Sequence, residues 1–115
     1  MNDTHPSNKR FLELLDEMRE LSARKQADYG KAVDPFANVR ASEDFGIPGW
    51  VGSVMRMNDK MRRLQTASHK TLTKKYNEHG NTVVTLANES VADSLIDVAV
   101  YALISLVLYE EENNV

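Results

Sequence analysis

Apolar residues recur at every third or fourth position in three stretches of the chain, and each stretch predicts an α-helix. The apolar positions of the first stretch are Phe11, Leu14, Leu15, Met18 and Leu21. Ser7 and Asn8 are suitable N-cap residues for this helix. We therefore predict that the first helix runs from this cap to about Ala27, before Tyr29-Gly30 ends it.

The second predicted helix begins near Trp50 and carries two stripes at helical spacing. One stripe is apolar and consists of Val54, Met57, Met61 and Leu64. The other is charged and consists of Arg56, Asp59, Lys60 and Arg63. The connection before this helix, residues 28–49, is predicted to contain a short helix from about Phe36 to Glu43. A connection this long in a small domain is often functional.

The last predicted helix runs from near Asn88 to about Glu112 and is apolar almost all round beyond Asp97. This pattern is typical of a central buried helix or of a subunit interface. The apolar run from Leu95 to Tyr109 contains Asp97, and it is shorter than the ~20 residues that a membrane span needs. We therefore expect a buried helix and no membrane partner.

Threonine, valine and tyrosine residues flank Asn77-Glu78-His79-Gly80, and this pattern favours a short β-hairpin or an ordered flap around residues 71–86. The rest of the pattern predicts an all-α protein, a small helical bundle. The 115 residues suffice for one domain, which we predict to cover residues 1–115. Residues 1–7 are expected to form a flexible tail and residues 110–115 a solvated one.

Charge and composition narrow the possible functions. The net charge of -3 argues against a protein that binds nucleic acid directly, which would usually show a basic face. It does not exclude a free nucleotide as ligand, because a metal ion can supply positive charge. The absence of cysteine excludes disulfides, thiolate zinc sites and cysteine nucleophiles. It also fits the reducing cytoplasm, where we expect the protein to be located.

Three acidic residues of the last helix, Glu89, Asp93 and Asp97, are candidate metal ligands because steps of four keep them near one helix face. Their mutual repulsion requires positive charge, and a hard divalent cation with oxygen ligands can supply it. Another interpretation remains open. Acids in a first turn also favour the helix dipole, and Asp97 can pair with an arginine or lysine of the second helix.

The charged stripe of the second helix is the second candidate. Asp59 can complete a metal site with the acids of the last helix, while Arg56, Lys60 and Arg63 can hold phosphate oxygens. The alternative is a solvated helix face with weak ion pairs. A third candidate is the segment of Lys25, Asp28, Tyr29 and Gly30, with Asn38 and Arg40 downstream, where Asn38 would read a base or sugar edge. Its alternative is a helix end followed by ordinary turn chemistry.

Four motifs in this order resemble a known family. The motifs are Lys25-Gln-Ala-Asp-Tyr-Gly30, Asp34-Pro-Phe-Ala-Asn38, Arg56-Met-Asn-Asp-Lys60-Met-Arg-Arg63 and Glu89-Ser-Val-Ala-Asp93-Ser-Leu-Ile-Asp97-Val-Ala-Val-Tyr101. Over about residues 11–109 the chain resembles the nucleotide-modification-associated domain 1 proteins. These are often phage-encoded and look related to the MazG-like all-α nucleotide pyrophosphohydrolases.

This resemblance implies a helical bundle that forms a homodimer or homotetramer. It also implies Mg²⁺ or Mn²⁺ held by acids of two helices, and cleavage of a nucleoside triphosphate into monophosphate and pyrophosphate. The family's last metal helix carries Glu-Glu-x-x-Asp. Glu89 and Asp93 match its outer positions, Ser90 replaces the second acid, and Asp97 is a candidate to compensate for it. The preceding helix offers Asp59 in place of the family's glutamates.

The function expected from spacing and resemblance together is a metal-dependent nucleotide pyrophosphohydrolase. The residues assigned to catalysis are Asp59, Lys60, Glu89 and Asp93. Those assigned to the metal are Asp59, Glu89, Asp93 and Asp97, and those assigned to the substrate are Lys25, Asp28, Tyr29, Asn38, Arg56 and Arg63. The alternatives are a phage protein that sequesters a nucleotide without cleaving it or assists a DNA-modifying enzyme, and a structural assembly helper.

Overall fold

The computed structural model describes the backbone of residues 5–28, 36–77 and 85–114, and the side chains of residues 5–24, 36–71 and 91–114. The elements are α1 (Pro6–Asp28), α2 (Ala37–Arg40), a 3-10 helix (Ala41–Phe45), α3 (Gly49–Asn77) and α4 (Thr85–Asn113). Helices are the only regular secondary structure in these ranges, which confirms the predicted all-α class.

The predicted β-hairpin or flap at residues 71–86 is wrong at both of its ends. Residues 71–77 continue α3 and residues 85–86 begin α4, while residues 78–84 lie outside the described part of the chain. The hydroxyl of Thr71 donates to the carbonyl of Ala67 at 2.9 Å, and that of Thr66 to Arg62 at 3.1 Å. Threonine therefore satisfies its hydroxyl inside the helix, and its β-propensity is overridden.

The chain divides into two compact units, residues 1–37 and residues 38–115. The first contains α1, which begins at Pro6, where a missing N–H costs nothing. Within α1, Arg10 contacts Glu17 at 3.2 Å and Glu13 at 3.5 Å. The hydrogen bond from Arg10 to Glu17, with the charges of both acids, raises the pKa of Arg10 above its usual value.

The second unit is organised by the contact between α3 and α4, which run antiparallel. Gly49 lies beside Leu108, whereas Lys60, further along α3, contacts Asp97, earlier in α4. The less exposed positions of α3 that face this contact recur in steps of four and three, as in a coiled-coil seam. They are Ser53, Met57, Lys60, Leu64 and Ala67.

Helix α4 buries one side against α3 and leaves the other open in the described part of the chain. Leu108 is buried, whereas Leu95, Leu103 and Leu106 are each more than half exposed. In the single chain the described part of α4 is therefore only partly buried, and the alternative interpretation of its pattern, a subunit interface, stays a prediction. By length and composition, Val91–Asn113 would qualify as a membrane span, and 17% of its most apolar window is buried. The length argument against a span is therefore wrong, and the expected absence of a membrane partner stays a prediction.

The 3-10 helix packs against α3 at Gly52, where the absence of a side chain leaves room for Ser42. A methyl group at Gly52 would collide with the hydroxyl of Ser42. This hydroxyl donates to the carbonyl of Ile47 at 3.1 Å. The 3-10 helix ends at Gly46, whose φ of 77° is the left-handed conformation that glycine adopts most easily. These contacts hold α2 and the segment that follows it against the first turns of α3.

Candidate functional site

An ion pair between Lys60 of α3 and Asp97 of α4 defines the candidate site. Lys60 Nζ lies 3.1 Å from Asp97 Oδ2, and the two side chains are 22% and 40% exposed. This contact agrees with the second interpretation of Asp97, in which it pairs with a cation of the preceding helix. The side of α3 that carries Lys60 and the side of α4 that carries Asp97 therefore lie next to each other.

The remaining predicted cations of α3 lie on the same side as Lys60. Arg56 is four residues before Lys60 and Arg63 three residues after it, and both spacings keep side chains on one helix face. On α4, Asp93 is one turn before Asp97 by the same rule. We call this set the charged side: Arg56, Lys60, Arg63, Asp93 and Asp97.

Asn38 also lies at the charged side. Arg56 donates from Nη2 to the carbonyl oxygen of Asn38 at 2.8 Å, and the side chain of Asn38 is exposed. Arg40, in the same short helix, pairs with Glu111 of α4 at 2.7 Å. Of the predicted substrate residues, Asn38 and Arg56 are therefore in direct contact, through a backbone carbonyl that the sequence pattern did not indicate.

The next turn of the helix pair carries a second cation and acid that are not paired. Because α3 and α4 are antiparallel, the turn after Lys60 lies across from the turn before Asp97. This places Arg63 across from Asp93. Both side chains are exposed, and neither has an ion pair or hydrogen bond to a described side chain. The charged side thus has one closed level, Lys60 with Asp97, and one open level, Arg63 with Asp93.

Three of the four predicted metal ligands, Asp59, Asp93 and Asp97, have described side chains. Among the residues that the structure describes, no three of His, Asp and Glu are grouped closely enough to hold an ion. The side chain of Glu89 lies outside the described residues, so the predicted set of Asp59, Glu89, Asp93 and Asp97 stays a prediction. Asp59 is exposed on α3 immediately before Lys60.

The three remaining predicted substrate residues belong to the first unit. Lys25 and Asp28 belong to the last turn of α1, and their side chains lie outside the described part of the chain. Tyr29 lies outside it altogether. Their assignment to the substrate stays a prediction.

The other side of the α3–α4 pair is apolar. The rings of Trp50 and Tyr109 meet edge to face, with centroids 5.4 Å apart. Further along this side, Val54, Met61 and Leu106 are each exposed by a third or more. The helix pair therefore separates a charged side from an uncharged apolar one.

Sequence reasoning missed the polar contact that holds the two helices together. The hydroxyl of Ser53 donates to the carbonyl of Tyr101 at 3.2 Å, and the Ser105 hydroxyl lies 2.7 Å from both Ser53 Oγ and that carbonyl. The available signal was the run of small residues at Gly49, Gly52 and Ser53, which lets two helices approach closely.

Comparison with known proteins adds no relative. No protein-family model, curated protein or solved structure matches the chain.

Proposed function

We propose that this protein is a metal-dependent nucleotide pyrophosphohydrolase that acts on a nucleoside triphosphate or a related nucleotide at the charged side of α3 and α4. The observation that carries the proposal is the contact between Lys60 and Asp97. It aligns a row of cations on one helix with a row of acids on the other, and a metal–phosphate complex needs both kinds of group.

The cations suit the phosphate groups of such a substrate. Arg63 is exposed and unpaired within the described residues, and a guanidinium can hold a phosphate with two parallel hydrogen bonds. Lys60 forms an ion pair with one oxygen of Asp97, and its ammonium group has three hydrogens that it can donate to phosphate oxygens and to this carboxylate. Both would offset negative charge that develops as the phosphoanhydride bond breaks.

The acids suit a hard divalent cation. Asp59 and Asp93 are exposed carboxylates without an ion-pair partner in the described part of the chain, and oxygen ligands of this kind are those that Mg²⁺ and Mn²⁺ prefer. Together with Glu89 they would hold the ion. When bound, the ion would polarise the phosphates and lower the pKa of an attacking water.

The base and sugar would lie toward α2. Asn38 is exposed there, and Arg56 donates a hydrogen bond to its backbone carbonyl. This hydrogen bond positions the backbone from which the amide side chain of Asn38 extends. Lys25, Asp28 and Tyr29 stay in the proposal as substrate contacts predicted from the sequence.

Release of pyrophosphate from a panel of nucleoside triphosphates, with Mg²⁺ or Mn²⁺ added, tests the proposal. We expect turnover by the wild-type protein and its loss in Asp93→Asn. Glu110→Gln is the matched control, because Glu110 is an exposed acid of the same helix that lies about 25 Å further along it. Absence of turnover in the wild type, or full activity in Asp93→Asn, contradicts the proposal.

A second candidate function is nucleotide binding without cleavage, as in a protein that sequesters a nucleotide. The ion pair favours it, because Lys60 neutralises one of the acids that a two-metal site would use. Calorimetry with each nucleotide distinguishes the two functions. Micromolar binding without any turnover selects sequestration, whereas turnover selects the hydrolase.

We propose further that the protein is a cytoplasmic homodimer or homotetramer. The support is the uncharged apolar side, where Leu95 and Leu106 of α4 and Met61 of α3 remain substantially exposed. Such a surface gains free energy when another apolar surface covers it.

A further inference from the structure

We infer that Asp97 is a positioning residue that orients Lys60 toward phosphate, and that it is not a metal ligand. The inference rests on the proposed function and reassigns one of its residues. The metal would then be held by Asp93 with the other acids of the proposed function, Asp59 and Glu89.

The location of Lys60 is the first reason. Lys60 occupies a seam position of α3, between Met57 and Leu64, and its side chain is 22% exposed. A lysine stem can lie along apolar neighbours, but its ammonium group needs polar partners. Asp97 Oδ2, at 3.1 Å, provides that partner at the edge of the seam. The ammonium is therefore held at one point of the charged side instead of sampling the solvent.

Charge is the second reason. A divalent ion on Asp97 would have to displace the ammonium group or stand beside it, and like charges this close repel strongly. Asp93 carries no such obstacle, because no described cation lies within ion-pair distance of it. The two aspartates are one turn apart on the same helix and differ in whether a cation already occupies their oxygens.

Hydrogen-bond capacity is the third reason. An ammonium group has three hydrogens, and a single carboxylate oxygen at 3.1 Å cannot engage all of them. The hydrogens that Asp97 does not engage remain available to the oxygens of a ligand. Lys60 and Arg63, three residues apart on α3, can then contact neighbouring oxygens of one diphosphate group.

Two probes, Mn²⁺ alone and inorganic pyrophosphate in the presence of a chelator, separate this role from metal ligation. Calorimetry on the full chain should show that Asp97→Asn binds Mn²⁺ within about twofold of wild type. Asp93→Asn, the matched variant one turn earlier, should lose at least about tenfold in Mn²⁺ affinity. For pyrophosphate, Asp97→Asn should lose about threefold to tenfold in affinity, with partial rescue in Asp97→Glu. Melting by circular dichroism verifies that each variant is folded.

Three outcomes overturn the inference while the proposed function stands. The first is a loss of Mn²⁺ affinity in Asp97→Asn as large as that in Asp93→Asn. The second is tighter pyrophosphate binding by Asp97→Asn, which would mean that Asp97 only neutralises Lys60. The third is tighter Mn²⁺ binding by Lys60→Met, which would mean that the lysine blocks a ligand. A wild-type protein that binds neither probe overturns the proposed function and this inference together.

Discussion

The hydroxyl oxygens of Ser53 and Ser105 lie 2.7 Å apart where α3 crosses α4, and both side chains are buried. Two small polar residues thus occupy the place where a helix pair usually packs large apolar ones. The space between the helices is correspondingly small. We predict that Ser53→Val lowers the free energy of unfolding by about 1–3 kcal/mol, because the branched side chain forces the helices apart and leaves Ser105 with fewer partners.

Chemical denaturation monitored by circular dichroism measures this effect. Ser68→Val is the control, because Ser68 is an exposed serine of the same helix, and its change should stay within about 0.5 kcal/mol. Equal stability of the two variants would show that the contact of Ser53 with Ser105 does not limit the approach of the helices.

Gly52 and Gly49 provide a pair with opposite expectations. A methyl group at Gly52 collides with Ser42, so Gly52→Ala should destabilise the protein by about 1–3 kcal/mol. A methyl group at Gly49 meets Leu108 at 3.6 Å, an ordinary contact. Gly49→Ala should therefore be neutral or stabilise the protein by up to about 1 kcal/mol through helix propensity.

The same denaturation experiment, extended to a double variant, identifies the cause. Ser42→Gly removes the group that the new methyl meets, so Gly52→Ala should cost less in the Ser42→Gly background than in the wild type. A cost that is equal in both backgrounds would show that the close approach of Gly52 to Ser42 is not its source.

The helices were predictable from sequence because their evidence is local. The repeats around Leu14 and around Met57 each lie within one element, and a period of 3.6 residues is visible without knowledge of the partner. The hairpin prediction failed for a related reason. The β-propensity of threonine is weaker than the context of a long helix, and Thr71 bonds to its own preceding turn.

The site was predictable as a set of residues but not as a set of contacts. Lys60 and Asp97 are 37 positions apart in the sequence, and their pairing depends on the register between two helices. Neither helix alone specifies that register. At the observed register Ser53 contacts Ser105, and serine in a sequence suggests a surface position more readily than a core one. Hence the sequence indicated the cations and the acids of the charged side, but it did not indicate that Lys60 is the cation that pairs with Asp97.

The apolar side of the helix pair leads to a prediction about assembly. If it is the interface of the proposed homo-oligomer, Leu95→Gln combined with Leu106→Gln should shift the protein toward the monomer, because two exposed apolar side chains become polar. Sedimentation velocity measures the shift. Val107→Gln is the control, since Val107 is also exposed but is turned about 100° round α4 from Leu106. A wild-type protein that is monomeric would contradict the proposed assembly.

Adjacent arginines of α3 test the open level of the charged side. Arg63 lies across from Asp93, whereas Arg62 is turned about 100° further round the helix, away from α4. Both are exposed, so their removal changes the net charge equally. We predict that Arg63→Met weakens nucleotide binding by about tenfold or more, the effect of one lost charge-assisted hydrogen bond. Arg62→Met should change nucleotide binding only through the small, salt-dependent effect of net charge.

Calorimetry at two salt concentrations separates direct binding from the effect of net charge, because a direct contact persists at high salt and a long-range one does not. Equal losses in the two variants would mean that the phosphates respond to overall charge and do not bind at Arg63.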